Sequence, residues 1–391
     1  MTKKFIIVFS VLLMLFSVSA CGSQDSNNNT SSATQSTMTN TETNTTPNEQ
    51  LSQNQETVNL YETIADPILK KADYQGITYI SYSDKVLFDK GYGKANIEKN
   101  IAVTSDTVFC IASNSKQFTA TAIMLLQQSG KLSVNDTIDK YFPEYPYGNQ
   151  ITVHQLLCMR SGIKDYMNYA EDIVQDISSN LLSDENTTAK EVRQAIQQWF
   201  FKQELDFTPD EQFAYSNSNY MLLAEIVEQL SGMPYEEYIR QNIFEPLAMN
   251  DTTFYDLYDI TSDNFAQPTD DTYTDYMQYK GILFGAGDIV STAKDLGKWF
   301  TAVRNHTIVS EDILKTMTTN YSEDSNYSYG YGYGTDEYGF CHTGEIFSYV
   351  SITYVSTIKD FNIILLSNAP TTKVESLALA INNGLLSSGK I

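Results

Sequence analysis

The chain has 391 residues, of which 25 are Lys or Arg and 48 are Asp or Glu, giving a formal net charge of −23. Because binding to nucleic acid needs clustered Lys and Arg, this balance excludes nucleic acid as a partner, and it argues against an anionic membrane surface or a polyanionic substrate. Hydrophobic residues make up 42% of the chain, enough for a sizeable core. With three histidines and no HExxH, CxxC or P-loop motif, the sequence predicts neither a metal site nor a cofactor.

The first twenty residues have the features of a secretory signal peptide. Lys3 and Lys4 form a basic start, and the apolar run 5–16 is too short for an ordinary membrane span. Small residues then precede Cys21, a pattern that resembles the lipobox of bacterial lipoproteins. The resemblance implies removal of residues 1–20 and lipid attachment to the Cys21 thiol. The alternative is an ordinary signal peptide followed by an incidental cysteine.

A polar segment follows the lipobox. Of the 35 residues from Gly22 to Glu56, 26 are Ser, Thr, Asn or Gln, and none is aromatic. Such a composition cannot bury enough apolar surface to offset the entropy of ordering it. We therefore expect residues 21–56 to be a lipidated cysteine with a disordered tether, and residues 57–391 to be the folded domain.

Hydrophobic periodicity predicts helices and strands in a definite order along this domain. They are a helix at 58–72, strands at 76–82 and 86–88, helices at 114–129, 187–203 and 218–231, a helix opened by a capping box at Thr292–Asp295 and running through Phe300, strands at 349–355 and 361–366, and a helix at 372–386. Strands lie toward both ends, with a mostly helical region at about 130–285 between them. The order predicts an α+β fold in which one antiparallel sheet, assembled from both chain ends, is flanked by helices.

A first candidate for chemistry lies at the start of the predicted helix 114–129. Positions i and i+3 share one face of a helix, so the Lys116 ammonium can lie beside the Ser113 hydroxyl. A serine hydroxyl is a weak nucleophile until a neighbour takes its proton, and a lysine with a lowered pKa can do so. Taken alone, a serine helix cap followed by a solvent-facing lysine is the simpler interpretation.

Tyr215 and Asn217 form a second candidate, a Tyr-x-Asn motif just before the predicted helix 218–231. By itself it is typical of a loop tyrosine beside a turn asparagine. Next to an activated serine, the phenol of Tyr215 can share the proton with Lys116. The Asn217 amide can either bind a substrate amide or orient the lysine, and the residues alone leave both alternatives open.

The third candidate, His342-Thr343-Gly344, leads into the predicted strand 349–355 and by itself fits any strand with a packed histidine. The three motifs together, in this order, resemble those of the serine β-lactamase and penicillin-binding-protein superfamily. The closer similarity is to its class C-like branch, which includes D-Ala-D-Ala carboxypeptidases and esterases. The resemblance covers nearly all of residues 57–391, and it implies a β-lactamase/transpeptidase-like fold.

The resemblance also implies a role for each matching residue. Ser113 is the nucleophile that becomes acylated, and Lys116 and Tyr215 act as general base and general acid. The implied substrate-binding residues are Asn217, His342, Thr343 and Gly344. The implied oxyanion hole consists of the backbone N–H groups of Ser113 and Glu345, and no metal or cofactor takes part.

The chain departs from the superfamily pattern at several positions. Many relatives carry Lys at the position of His342, and an unperturbed histidine is mostly neutral at pH 7, so the sequence predicts weaker recognition of a substrate carboxylate. A Pro209-Asp210 pair stands where Pro-Gly is usual. Cys158-Met159-Arg160 replaces a segment that often contains histidine.

The three cysteines of the domain number too few for a full disulfide framework. Buried thiols are the simpler interpretation, although Cys110 and Cys341 each flank a motif and can lie near one another.

These observations predict a serine hydrolase that is lipid-anchored on the extracellular face of a bacterial cell membrane and works through an acyl-enzyme on Ser113. Its expected substrates are cell-wall peptides, in the manner of a D-Ala-D-Ala carboxypeptidase, or related amides and esters. A β-lactamase-fold esterase or weak β-lactamase is one alternative, and a non-catalytic peptidoglycan-binding or penicillin-sensing lipoprotein is another. A Ser-His-Asp triad built on His154, His306 or His342 is a further alternative. It is less favoured because the sequence has no Gly-x-Ser-x-Gly elbow to hold its serine.

Overall fold

The computed structural model describes most of the predicted domain. The described residues are 60–82, 85–169, 173, 186–269, 280–323, 325–346 and 348–389. The predicted signal peptide (1–20), Cys21 and the predicted tether (21–56) lie outside them. Within the described ranges, no helix combines the length and apolar character needed to cross a membrane.

The described helices and strands are numbered in chain order. The strands are β1 (Gly76–Tyr82), β2 (Lys85–Tyr92), β3 (Lys94–Asn96), β4 (Ile101–Ala102), β5 (Phe109–Cys110), β6 (Thr253–Phe254), β7 (Ile289–Ser291), β8 (Gly334–Thr335), β9 (Gly339–Ile346), β10 (Tyr349–Ser356) and β11 (Phe361–Ser367). The helices are α1 (60–71), α2 (Lys116–Gln128), α3 (Val153–Leu157), α4 (Ala189–Phe201), α5 (Asn217–Ser231), α6 (Tyr235–Ile239), α7 (Ala293–Arg304), α8 (Glu311–Met317) and α9 (Val374–Ser387). A 3-10 turn, Ala112–Ser115, directly precedes α2.

One antiparallel sheet joins the two ends of the chain. In the described part of the chain its strand order is β2-β1-β11-β10-β9-β8. The junction between N-terminal and C-terminal strands is the pairing of β1 with β11, in which Ile77 lies opposite Leu366 and Tyr82 opposite Phe361. The predicted α+β fold, with a sheet assembled from both chain ends and flanked by helices, is confirmed.

Helices cover both faces of this sheet, which explains why β10 and β11 are buried along their whole length. In β11, Ile363 and Leu365 belong to an apolar cluster shared with α1 and α9. Their neighbours Ile364 and Leu366 belong to the larger cluster that includes α2 and α7. Successive side chains of a strand point to opposite faces, so a continuous apolar run is what a strand between two helical layers requires.

Helix α5 begins one residue before its predicted start and ends where its glycine predicts. Gly232 adopts a φ of +75° directly after Ser231. Glycine reaches this left-handed conformation without a Cβ penalty, and its N–H donates to the carbonyl of Glu228. Asn217 is the first residue of this helix.

The capping box predicted at the start of helix α7 is only half formed. Thr292 does cap it, because its hydroxyl accepts from the backbone N–H of Asp295 at 3.2 Å. The Asp295 carboxylate does not return the bond; it accepts from the Asp251 N–H and the Thr252 hydroxyl. A tertiary contact thus replaces the local one, and the helix continues to Arg304 rather than ending at Phe300.

Short strands are the main elements that the sequence pattern missed. β5, β7 and β6 form a small sheet in which Phe109 lies opposite Ser291, and β6 lies inside the region predicted to be mostly helical. Strands of two or three residues are too short to show a period of two. The third motif also lies within a strand, β9, rather than before the strand that follows it.

The cysteines of the domain are buried and free of disulfides. Cys110 lies in the cluster with α2 and α7, whereas Cys341 lies in the cluster on the other face of the sheet. The interpretation of small buried thiols is therefore confirmed, and Cys110 and Cys341 pack in different apolar clusters.

Candidate active site

Ser113 lies in the 3-10 turn Ala112–Ser115, between β5 and α2. Its side chain is half-buried, so the hydroxyl remains within reach of a substrate. The turn is fixed to β7, because the Ser115 hydroxyl accepts from the Ile289 N–H at 3.0 Å. Ala112 has a φ of +49°, a conformation that costs a non-glycine residue roughly 1–3 kcal/mol. The surrounding contacts therefore hold the residue before the serine in a strained position.

A buried network of polar side chains ties this turn to β10. Asn114 donates to the Ser351 hydroxyl at 2.8 Å and accepts from Thr353 and Gln117. The Ser351 hydroxyl donates in turn to the carbonyl of Ile111, also at 2.8 Å. Buried polar groups that are all hydrogen-bonded specify one arrangement, so the C-terminal strand sets the position of the serine.

Lys116 is completely buried, and its ammonium contacts three oxygens. The Nζ atom lies 3.1 Å from the Ser113 hydroxyl, 2.8 Å from Oδ1 of Asn217 and 2.7 Å from the carbonyl oxygen of Ala286. The structure therefore brings the first and second motifs together. It adds the Ala286 carbonyl, which comes from the segment just before β7.

Burial lowers the pKa of Lys116 to about 7, although the nearby carboxyls of Asp165 and Asp288 oppose this shift. A neutral amine has two N–H donors and one lone pair. Asn217 Oδ1 and the Ala286 carbonyl can only accept, so they take the two N–H groups. The lone pair of neutral Lys116 then faces the Ser113 hydroxyl, which is the geometry a general base requires.

The aromatic ring of Tyr215 lies beside the lysine. The Lys116 Nζ atom is 4.8 Å from the centre of the Tyr215 ring. The Tyr215 hydroxyl is buried and has no hydrogen-bond partner of normal geometry among the described residues. Burial raises the pKa of Tyr215, an effect that the neighbouring Ser113 hydroxyl opposes. Tyr215 is therefore a protonated phenol close to the serine, as a proton donor to a leaving group must be.

Asn217 is the first residue of α5, and both polar atoms of its amide are in use. Its Oδ1 accepts from Lys116, and its Nδ2 donates to the carboxylate of Asp165 at 2.9 Å. Of the two alternatives that the residues left open, this geometry favours an asparagine that orients the lysine. Its predicted binding of substrate stays a prediction.

His342 lies in β9 and is only 3% exposed. Its Nδ1 contacts the carbonyl of Thr343 and its Nε2 lies 3.0 Å from the Tyr329 hydroxyl. A carbonyl can only accept, so Nδ1 carries the proton and Nε2 accepts from the tyrosine. Burial and the charge of Lys116 lower the pKa of His342 to about 3. The imidazole is therefore neutral, and it offers no positive charge to a substrate carboxylate.

Gly344 is the point at which β9 meets the nucleophile turn. A Cβ atom at this position would lie 2.3 Å from the carbonyl oxygen of Ile111 and 2.5 Å from the Ser351 hydroxyl. Only glycine permits this approach, because any side chain would occupy the space of atoms already fixed in the buried network. Gly344, which the resemblance assigns to substrate binding, thus also makes a close contact within the protein.

The remaining predicted residues lie along the same strand. Thr343 is half-buried and Glu345 is exposed. Strand β8 pairs with β9 only at Phe340 and Cys341, so in the described ladder no strand covers the far side of β9 from His342 onward. The Glu345 and Ser113 backbone N–H groups remain the predicted oxyanion donors, next to an edge at which an extended peptide can pair.

Sequence reasoning missed three contributors to this site. Asp165 lies shortly after Gly162, in a stretch with no recognisable catalytic pattern. Ala286 contributes only a backbone carbonyl, which no side-chain motif reveals. Tyr329 stands at the start of a run, 329–334, in which tyrosine and glycine alternate, and this regularity is the signal that could have marked the partner of His342.

The fold and this site define a class, the serine hydrolases of the β-lactamase and penicillin-binding-protein type. The chain belongs to the β-lactamase family: a family model described as Beta-lactamase matches residues 62–385. The resemblance indicated by the three motifs is thereby confirmed. The predicted roles of the individual site residues stay predictions.

Individual relatives support the family assignment. Penicillin-binding protein 4* of Bacillus subtilis (strain 168) is 28% identical over 267 residues, which are 64% of this chain and 56% of that relative. The chain spans between 56% and 66% of the length of the curated relatives it matches. The structure of the octameric penicillin-binding protein homologue from Pyrococcus abyssi has a TM-score of 0.70 and 28% identity, covering 84% of this chain and 77% of that chain. The D-amino acid amidase of Ochrobactrum anthropi SV3, complexed with D-phenylalanine, has a TM-score of 0.68 and 25% identity, covering 85% and 99%.

Replacing Gly344 with alanine tests the contact between β9 and the nucleophile turn. We expect Gly344→Ala to lower the free energy of unfolding by about 1–3 kcal/mol and to abolish acylation of Ser113, because β9 has to move away from Ile111. Gly334→Ala is the matched control in the same sheet, since its Cβ would meet its nearest atom at an ordinary 3.6 Å. Chemical denaturation measures the free energy of unfolding of both variants. Equal stability of Gly344→Ala and Gly334→Ala would contradict the expectation.

The acylation rate should depend on pH through Lys116. Only the unprotonated amine can accept the serine proton, so we expect kcat/KM for p-nitrophenyl acetate to rise with pH through about 7 and then to level off. The raised pKa of Tyr215 predicts no falling limb below about pH 10. A rate that stays constant between pH 6 and pH 8 would show that another group takes the proton.

Proposed function

We propose that this protein hydrolyses cell-wall peptides through a covalent acyl-enzyme on Ser113, in the manner of a D-Ala-D-Ala carboxypeptidase. The observation that carries the proposal is the hydrogen bond between the Ser113 hydroxyl and the buried Lys116, whose pKa is lowered to about 7. The similarity to a protein named penicillin-binding protein 4*, at 28% identity, supports the choice of substrate class.

The geometry supports a definite sequence of proton transfers. The lone pair of neutral Lys116 accepts the hydroxyl proton as Ser113 Oγ forms a bond to the substrate carbonyl carbon. The Tyr215 phenol then donates its proton to the leaving amine as the C–N bond breaks, and the proton on Lys116 returns to Tyr215. Hydrolysis of the ester runs these transfers in reverse with water in place of the amine: water loses a proton as its oxygen attacks the ester carbonyl carbon, and Ser113 Oγ regains a proton as the ester C–O bond breaks.

A second candidate, an amidase or esterase that acts on substrates without a free carboxylate, is favoured by His342. A buried neutral imidazole supplies no charge to pair with a carboxylate, whereas a lysine at this position would. The D-amino acid amidase at 25% identity supports an amide as the scissile group. The two candidates share the acyl-enzyme on Ser113 and differ in what lies beyond the scissile bond.

Intact-protein mass spectrometry of the full chain separates these candidates. We expect covalent acylation of Ser113 by benzylpenicillin, or rapid turnover of p-nitrophenyl acetate and amino acid amides, and we expect Ser113→Ala to lose both. A stable penicillin adduct supports the carboxypeptidase, and fast ester or amide turnover without a penicillin adduct supports the second candidate. The absence of adducts and of turnover with every acyl donor would instead indicate a non-catalytic binding protein.

We also propose that the enzyme is attached to the outer face of the cell membrane by a lipid on Cys21. The support is the basic start, the short apolar run and the small residues before Cys21. We expect Cys21→Ala to move the protein from the membrane fraction to the soluble fraction, while Ser113→Ala stays with the membrane. Unchanged membrane retention of Cys21→Ala would contradict the proposal.

A further inference from the structure

Asp165 is a buried carboxylate that the proton transfers above do not use. It is 6% exposed and lies in the loop that follows α3, where its carboxylate contacts the amide of Asn217. The Nδ2 atom of Asn217 donates to Asp165 Oδ2 at 2.9 Å and to Oδ1 at 3.3 Å. Asp165 Oδ1 also accepts from the Met167 N–H at 3.1 Å, which fixes the carboxylate.

The partners of Asn217 determine which way its amide points. Burial raises the pKa of Asp165 to about 6, so above that pH its carboxylate is ionised and can only accept, while Lys116 has an N–H group to donate in both of its protonation states. The amide therefore has to present Oδ1 to Lys116 and Nδ2 to Asp165, as the structure shows. A rotation of the amide by 180° would set Nδ2 against the lysine and Oδ1 against the carboxylate, and would break both bonds.

We propose that Asp165 is a positioning residue that acts on Lys116 through the Asn217 amide. Hydrogen bonds run from Asp165 to Asn217, from Asn217 to Lys116 and from Lys116 to Ser113. Lys116 and Ser113, at the end of this series of hydrogen bonds, are the proposed base and nucleophile, so the inference rests on the proposed function. Asp165 contacts neither of them by a hydrogen bond; it holds the asparagine that holds the base.

The backbone around Asp165 is itself fixed to α5. The Ser218 hydroxyl donates to the carbonyl of Lys164 and accepts from the N–H of Tyr166 at 3.1 Å. The residues on either side of Asp165 are thus bound to the residue that follows Asn217. This arrangement keeps the carboxylate and the amide in register, because both are anchored to the same turn of helix.

Several ionisable groups face this chain of hydrogen bonds. Those around Lys116 and Asp165 are Asp288, Tyr166, Tyr215, Tyr220 and His342. The negative charges of Asp165 and Asp288 both raise the pKa of Lys116 against the effect of burial. Removal of the Asp165 charge should therefore lower the pKa of Lys116 further and move its titration to lower pH.

Two substitutions separate the hydrogen bond from the charge. Asp165→Asn keeps an oxygen that can accept from Asn217 but removes the charge, whereas Asp165→Ala removes both. We expect Asp165→Ala to lower kcat for p-nitrophenyl acetate about 100-fold with little change in KM, because the base is misplaced rather than the substrate. We expect Asp165→Asn to stay within about tenfold of the unsubstituted protein and to move the rising limb of the pH profile to lower pH.

A double-mutant cycle tests whether Asp165 acts through Asn217. If it does, Asp165→Ala causes no further loss in an Asn217→Ala background. Asp288→Asn is the matched control, since Asp288 is also buried near Lys116 but accepts from the Gly285 N–H and not from Asn217. Full additivity of the Asp165 and Asn217 losses would overturn the proposal, as would an equal fall in kcat in Asp288→Asn.

A measurement that needs no turnover keeps the test independent of the proposed function. The ¹³Cε signal of Lys116, assigned by its absence in Lys116→Met, reports the titration of the amine in the full chain. A larger change in this signal for Asp165→Ala than for Asp165→Ala in the Asn217→Ala background supports the inference even if no acyl donor reacts. The same change in both backgrounds overturns it even if the unsubstituted protein is acylated at Ser113.

Discussion

The site depends on the enclosure of one amine. Lys116 is removed from water, and Asn217 Oδ1 and the Ala286 carbonyl accept two of its N–H groups. Desolvation disfavours the ammonium, and the fixed acceptors leave the free lone pair only one place to point. A solvent-exposed lysine three residues after Ser113 would share the same motif, but it would stay protonated at neutral pH and would take no proton.

This enclosure requires parts of the chain that are far apart in sequence. The amine comes from α2, one acceptor from the start of α5, and the other from the loop that contains Ala286. The serine beside it is set by β7 on one side and by β10 on the other. The sheet that joins both chain ends is therefore part of the site, because without the C-terminal strands the nucleophile turn loses the hydrogen bonds that hold it in place.

Long apolar elements could be predicted from the sequence, and contacts between distant groups could not. The runs 349–355 and 361–366 indicated buried strands, and Gly232 marked the end of α5, because these signals are local. The first two motifs located Ser113, Lys116 and Tyr215. Asp165 escaped notice because a carboxylate becomes a positioning group only when folding puts an amide against it.

Departures from the superfamily pattern show the same limit. Asp210 stands where glycine is usual, and the structure gives it a φ of +73°. Arg160, itself a departure, donates to both the side chain and the backbone carbonyl of Asp210, and Asp210 N–H donates back to the Arg160 carbonyl. Each residue looked like an isolated irregularity in the sequence, but together they form one turn.

The bond between the Ser351 hydroxyl and the Ile111 carbonyl joins residues 240 positions apart, and this separation has a consequence in time. At a synthesis rate of about 5–20 residues per second, the segment with Ser113 is made roughly 12–48 seconds before the strand that supports it. A growing or truncated chain therefore contains the serine and the lysine without the arrangement that makes them reactive. The enzyme acquires a nucleophile only when its last strands are in place.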